Sequence, residues 1–84
     1  MKGKCALLVG INYIGTQYEL RGCINDVNNM KNLLRKSYKY TNFITITDKS
    51  KIKPTKYNIL RYLKRIIKYS HKYSEIFFHY SDFI

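Results

Sequence analysis

The sequence predicts an α/β fold in which three parallel strands alternate with two helices. Three observations carry that expectation. Apolar, β-branched or aromatic runs occupy residues 5–11, 42–47 and 75–80. Apolar residues at helical spacing fill both intervals between those runs. Each interval is long enough for a crossover, and alternating elements of this kind give parallel strands with right-handed connections.

Residues 5–11 form a continuous apolar run without alternation, the pattern of a strand covered on both faces. With Met1-Lys2-Gly3-Lys4 ahead of it, the run superficially resembles a secretory signal. It is short for that purpose, and Asn12-Tyr13-Ile14-Gly15 offers no small-x-small cleavage site, so a buried strand is the better reading. Residues 12–22 are polar, contain Gly15 and Gly22, and read as a loop. Asn25 or Asp26 is expected to cap the first helix, with Val27, Met30, Leu33 and Leu34 on its apolar face.

Residues 42–47 are rich in β-branched side chains and form the second strand. Residues 48–53 make a charged turn, after which Pro54 suits the first turn of a helix. Ile59, Leu60, Leu63, Ile66 and Ile67 then fall on one stripe, an arc of about 120° at 3.6 residues per turn. Arg61, Lys64, Arg65, Lys68 and Lys72 cluster on the other side. Residues 75–80 form the third strand, with Ile76, Phe77 and Phe78 at its centre. The first run is the most uniformly apolar. It is therefore expected at the middle of the sheet, with the helices on opposite faces.

Eighty-four residues with 45% hydrophobic content make one small packed domain or part of a larger one. Cys5 and Cys23 form no CxxC pair and no disulfide framework, which points to free thiols in a reducing, cytoplasmic setting. No stretch is long enough to span a bilayer. The formal net charge is +11, and residues 31–74 carry thirteen Lys or Arg against Asp48 alone. A basic middle suits an anionic partner such as nucleic acid or a membrane surface. A solvated helix face accounts for it more simply, because charge by itself carries no specificity.

In parallel sheets of this kind, ligands sit at the carboxyl ends of the strands. Segment 20–26 follows the first strand and Ser81 follows the third, so both belong on that edge. Three segments there and nearby, Leu7-Leu8-Val9-Gly10-Ile11-Asn12-Tyr13, Leu20-Arg21-Gly22-Cys23-Ile24-Asn25-Asp26 and Phe77-Phe78-His79-Tyr80-Ser81, together resemble the opening half of a metacaspase. Metacaspases are caspase-like cysteine peptidases that cut after Arg or Lys. The resemblance runs in register from Cys5 to Ser81. It implies part of a caspase-like three-layer α/β/α fold, with residues 1–84 as an incomplete, amino-terminal portion of the peptidase domain.

The resemblance also implies roles, residue by residue. Cys23 and Asp26 match positions that shape the family's pocket for the substrate's basic side chain, and Ser81 matches a further lining position. A carboxylate there suits a charge-assisted bond to a guanidinium. Asp26 is equally well placed to cap the first helix, and the two roles coexist. In the family the Ser runs on into Gly-His-Gly, whose His is the catalytic base. Here Asp82-Phe83-Ile84 follow, so Phe83 stands at the base's position, and the nucleophilic Cys of the family comes later still. No catalytic residue is therefore assigned, and residues 1–84 are expected to be inactive alone.

Cys5 reads as a buried strand residue, His79 as a strand residue and His71 as a cation at a helix end. None has metal-ligand spacing, so no metal is assigned. The calcium ligands implied by the family belong to positions beyond residue 84. The expected partners are peptides with basic residues, together with self-association or strand pairing through the edge of the third strand. A second reading is a non-catalytic interaction module that uses that open edge or the basic helix. A third, nucleic-acid binding, has charge and nine tyrosines in its favour but no recognisable single-strand-binding motif.

Overall fold

A computed structural model describes residues 2–82. Strand β1 (Gly3–Gly10) leads to helix α1 (Cys23–Ser37), strand β2 (Asn42–Thr47), helix α2 (Lys56–Lys68), a 3-10 turn (Ser70–Lys72) and strand β3 (Tyr73–Ser81). The three strands form one sheet in the order β2-β1-β3, all parallel. β1 pairs with β2 from Cys5↔Asn42 to Gly10↔Thr47, and with β3 from Gly3↔Tyr73 to Gly10↔Ser81.

The central position of β1 follows from its side chains. Cys5, Leu7 and Val9 point to one face and Ala6 and Leu8 to the other, and all five are buried. On the first face they pack with Ile46 of β2 and Ile66 of α2, supported by Ile59, Tyr62 and Leu63. On the second they meet Val27 and Leu34 of α1 and Tyr40. The helices thus lie on opposite faces, as right-handed crossovers in opposite directions along the sheet require. Burying a side chain such as Leu7 or Leu8 contributes about 1.5–3 kcal/mol, so β1 anchors both half-cores.

Both helices begin differently from the sequence expectation. α1 starts at Cys23, ahead of Asn25 and Asp26, and neither residue caps it. Gly22 stands at the cap with φ 117°, a left-handed conformation that glycine adopts readily and side-chain-bearing residues resist. Without a side chain, Gly22 supplies no cap acceptor. Asn12 supplies it from the loop after β1: its Oδ1 accepts the Ile24 backbone N–H at 3.2 Å. For α2 the cap is Thr55, whose hydroxyl accepts the Asn58 backbone N–H at 3.1 Å. Pro54 therefore lies just outside the helix, before the cap, rather than in its first turn.

The apolar stripes are also less buried than their periodicity suggests. Leu33 of α1 and Leu60 and Ile67 of α2 are exposed, as are Ile76, Phe78 and Tyr80 of β3. The cause is the width of the sheet. α2 packs over β1 and β2 and reaches β3 only at Tyr73, which leaves the rest of that face of β3 uncovered. β3 is an edge strand among the described residues.

Candidate functional site

The carboxyl ends of β1 and β3 lie side by side, because Gly10 pairs with Ser81. β2 lies on the other side of β1, so the crossover direction reverses at this point, the place where open α/β sheets form ligand crevices. α1 enters the crevice from above. Its first turn closes on β1 so tightly that a Cβ on Gly10 would lie 2.7 Å from both the Cys23 carbonyl oxygen and Val27 Cγ2. Glycine at position 10 sets the depth of that approach.

Asp26 and Ser81 meet there. The Ser81 hydroxyl donates to Asp26 Oδ2 at 3.1 Å. Ser81 is buried, whereas Asp26 is exposed and forms one wall of a cleft of about 300 Å³ with Asn29, Met30, Leu33 and His79. The carboxylate is thus fixed by one neutral hydrogen bond and keeps acceptor capacity toward solvent. Cys23 lies one helical turn earlier and is buried at 1% exposure. It supports the base of the helix against β1 and does not line that cleft. His79 shares the face of β3 that carries Ser81, and its Nε2 is buried without a hydrogen-bond partner.

Two further carboxylates hold the loop after β1, and the sequence reading missed both. Asp48 accepts the Asn12 backbone N–H at 2.7 Å through Oδ1 and the Ile14 N–H at 3.3 Å through Oδ2. Asp82 Oδ2 accepts the hydroxyls of Tyr13 at 2.8 Å and Tyr80 at 3.0 Å, while Oδ1 is buried without a partner. The hydrogen bond to Asp82 pushes the Tyr13 phenol up to about 12, because ionisation would set two anions against each other. The signal available in the sequence was position alone: each Asp follows directly on a strand at the same edge.

The thiols offer little chemistry. Burial raises the Cys5 pKa, which keeps its thiol protonated. Neither cysteine is hydrogen-bonded to His71 or His79 among the described residues. Phe83, which the sequence reading set at the position of the base, lies outside the described residues. Among the described residues no three or more His, Cys, Asp or Glu side chains gather as a metal site. No described helix is long and apolar enough to cross a membrane.

Comparison with known proteins identifies the family. The sequence profile described as metacaspase, peptidase C14 domain, matches residues 4–83. Metacaspase-1 of Meyerozyma guilliermondii is 45% identical over 84 residues, covering 93% of this chain and 20% of the relative. Metacaspase-1 of Candida albicans is 46% identical over 82 residues, covering 93% and 18%. Metacaspase-1A of Aspergillus oryzae is 44% identical over 81 residues, covering 90% and 19%. The chain spans about a fifth of the length of the curated relatives it matches.

Proposed function

The chain belongs to the metacaspase family of peptidase C14 domains, and from that premise we propose that its residues form the basic-side-chain recognition wall of a cysteine endopeptidase. The observation that carries this reading is the Asp26–Ser81 hydrogen bond at the crevice. It leaves an exposed carboxylate, held in place, at the edge where a peptide would lie. An arginine guanidinium approaching Asp26 would gain a charge-assisted bond, and a lysine ammonium a point-charge contact. Buried Cys23 supports the first turn that carries Asp26 and has no part as nucleophile.

In this reading residues 1–84 bind and orient but do not cleave. A thiolate and a base act as a unit, and neither cysteine is hydrogen-bonded to a histidine among the described residues. The open edge of β3 would accept a further strand by backbone pairing, which would also cover Ile76 and Phe78. The reading also sets the protein in the cytoplasm, where the two thiols stay reduced.

The test is hydrolysis of a fluorogenic peptide containing Arg or Lys. The 84-residue protein alone should give no turnover above background, with or without calcium. Fused to a metacaspase continuation that carries the family's His and Cys, it should turn over. Thiol-dependent cleavage by the unextended chain, abolished by Cys23→Ala, would overturn the proposal.

A further inference from the structure

On the side of the molecule away from the crevice, α2 carries five Lys or Arg and no acidic residue. The one ion pair among the described residues, Lys4–Glu75, lies elsewhere. The positive charge of this face is therefore not neutralised by the protein's own carboxylates. Helical spacing sets aromatic rings among these cations in a way the linear sequence hides. Tyr57, Arg61, Arg65 and Tyr69 follow one another at intervals of four, which aligns them along one flank. Tyr57 is 73% exposed and Tyr69 39%. Lys72 Nζ and Lys68 Nζ lie 4.9 and 5.7 Å from the centre of the Tyr69 ring. A cleft of about 200 Å³ opens beside that ring, with Ile44 and Tyr73 among its walls and Arg65 and Lys72 at its rim.

We propose that this flank of α2 and the 3-10 turn after it bind single-stranded nucleic acid, with phosphates on Arg61, Arg65, Lys68 and Lys72 and bases stacked on Tyr57 and Tyr69. The chemistry divides in two. Cations spaced along a helix follow a flexible anionic backbone and release its counterions. Exposed phenol rings among them offer flat surfaces to unpaired bases, which a duplex keeps stacked inside. An anionic membrane is the weaker match. A helix lying on lipid needs a continuous apolar face next to its charged one, and α2 exposes only Leu60 and Ile67 there, because Ile59, Leu63 and Ile66 pack into the core.

The experiment is fluorescence anisotropy of the 84-residue protein with a labelled oligouridylate of about 12 nucleotides, repeated over a salt series, with phosphatidylserine vesicles as a second arm. Tyr69→Ala and Tyr57→Ala should each weaken RNA binding about fivefold or more, with circular dichroism unchanged. The triple variant Arg65→Ala, Lys68→Ala, Lys72→Ala should lower the slope of log K against log salt by about 2, at about 0.7 per lost phosphate contact. A control triple of the same charge, Lys36→Ala, Lys49→Ala, Lys51→Ala, should leave that slope nearly unchanged. The proposal is overturned by absence of binding, by tyrosine variants that bind like wild type, or by a control triple that lowers the slope as much. Vesicles bound more tightly than the oligonucleotide at equal salt would overturn it as well.

Discussion

Ser81 donates its hydroxyl proton to Asp26 Oδ2 at 3.1 Å, joining two residues 55 positions apart in sequence. The bond ties the end of the edge strand β3 to the first turn of α1. It links the last strand of the sheet to the helix that follows the first strand, at the point where the sheet is open to a ligand.

That bond makes the two residues separable by experiment. In a catalytically complete fusion, Asp26→Asn keeps an acceptor for Ser81 and removes the charge. It should raise KM for Arg substrates by roughly tenfold or more, the scale of a lost charged hydrogen bond of about 1.5–3 kcal/mol. Ser81→Ala frees the carboxylate without removing it, and should cost less. Steady-state kinetics on Arg and neutral peptides would show the difference, and equal losses on both peptides would remove Asp26 from recognition.

Tyr40 predicts an alkaline limit to stability. Burial, and then its hydrogen bond to Glu75 Oε2 at 2.9 Å, push the phenol up to about 12. Between about pH 10 and 12 the unfolded chain releases a proton that the folded chain holds, so stability is full below pH 10 and falls through that window. Urea midpoints at pH 9 and pH 11.5 should differ more for wild type than for Tyr40→Phe, which has no proton to lose at that position.

Thiol reactivity should report folding. Cys5 and Cys23 are 2% and 1% exposed, and burial raises the Cys5 pKa. Labelling with a maleimide at pH 7 should be slow for both in the native protein and fast for both in urea. Rapid native labelling of Cys23 would show that the first turn of α1 opens readily.

The uncovered side of β3 predicts association. Ile76 and Phe78 are exposed next to an unpaired strand edge among the described residues. Sedimentation of the wild-type chain should depend on concentration. Phe78→Lys should shift it toward monomer without loss of the circular dichroism signal, because the side chain is 43% exposed.

Much of this architecture is legible from apolar runs. The bounds of β2 agree with the β-branched segment, and the uniform apolarity of β1 marks it as the middle strand. What periodicity hides is whether a neighbour exists to cover a stripe. Leu33, Leu60 and Ile67 have the right spacing for a core, yet they stay exposed because no described element covers the far side of β3. Capping failed for a related reason. The acceptor at α1 comes from Asn12, distant in sequence, and a local reading looks only to adjacent residues. At the site, Asp26 and Ser81 are legible through the segments they share with metacaspases. The anchoring roles of Asp48 and Asp82 depend on loop geometry that no spacing rule encodes.

The pairing of β1 with β3 bears on how the protein comes into being. The two strands join residues as far apart as Gly3 and Ser74, 71 positions along the chain. A ribosome delivers the middle of the sheet first and one of its two neighbours last. Until β3 emerges, Ala6, Leu7, Leu8 and Val9 have one open edge and incomplete cover, a sticky segment waiting on distant sequence. Long-range closure of this kind slows folding more than it limits stability. Chaperone engagement during translation is thus where a weakened β3 would first be felt.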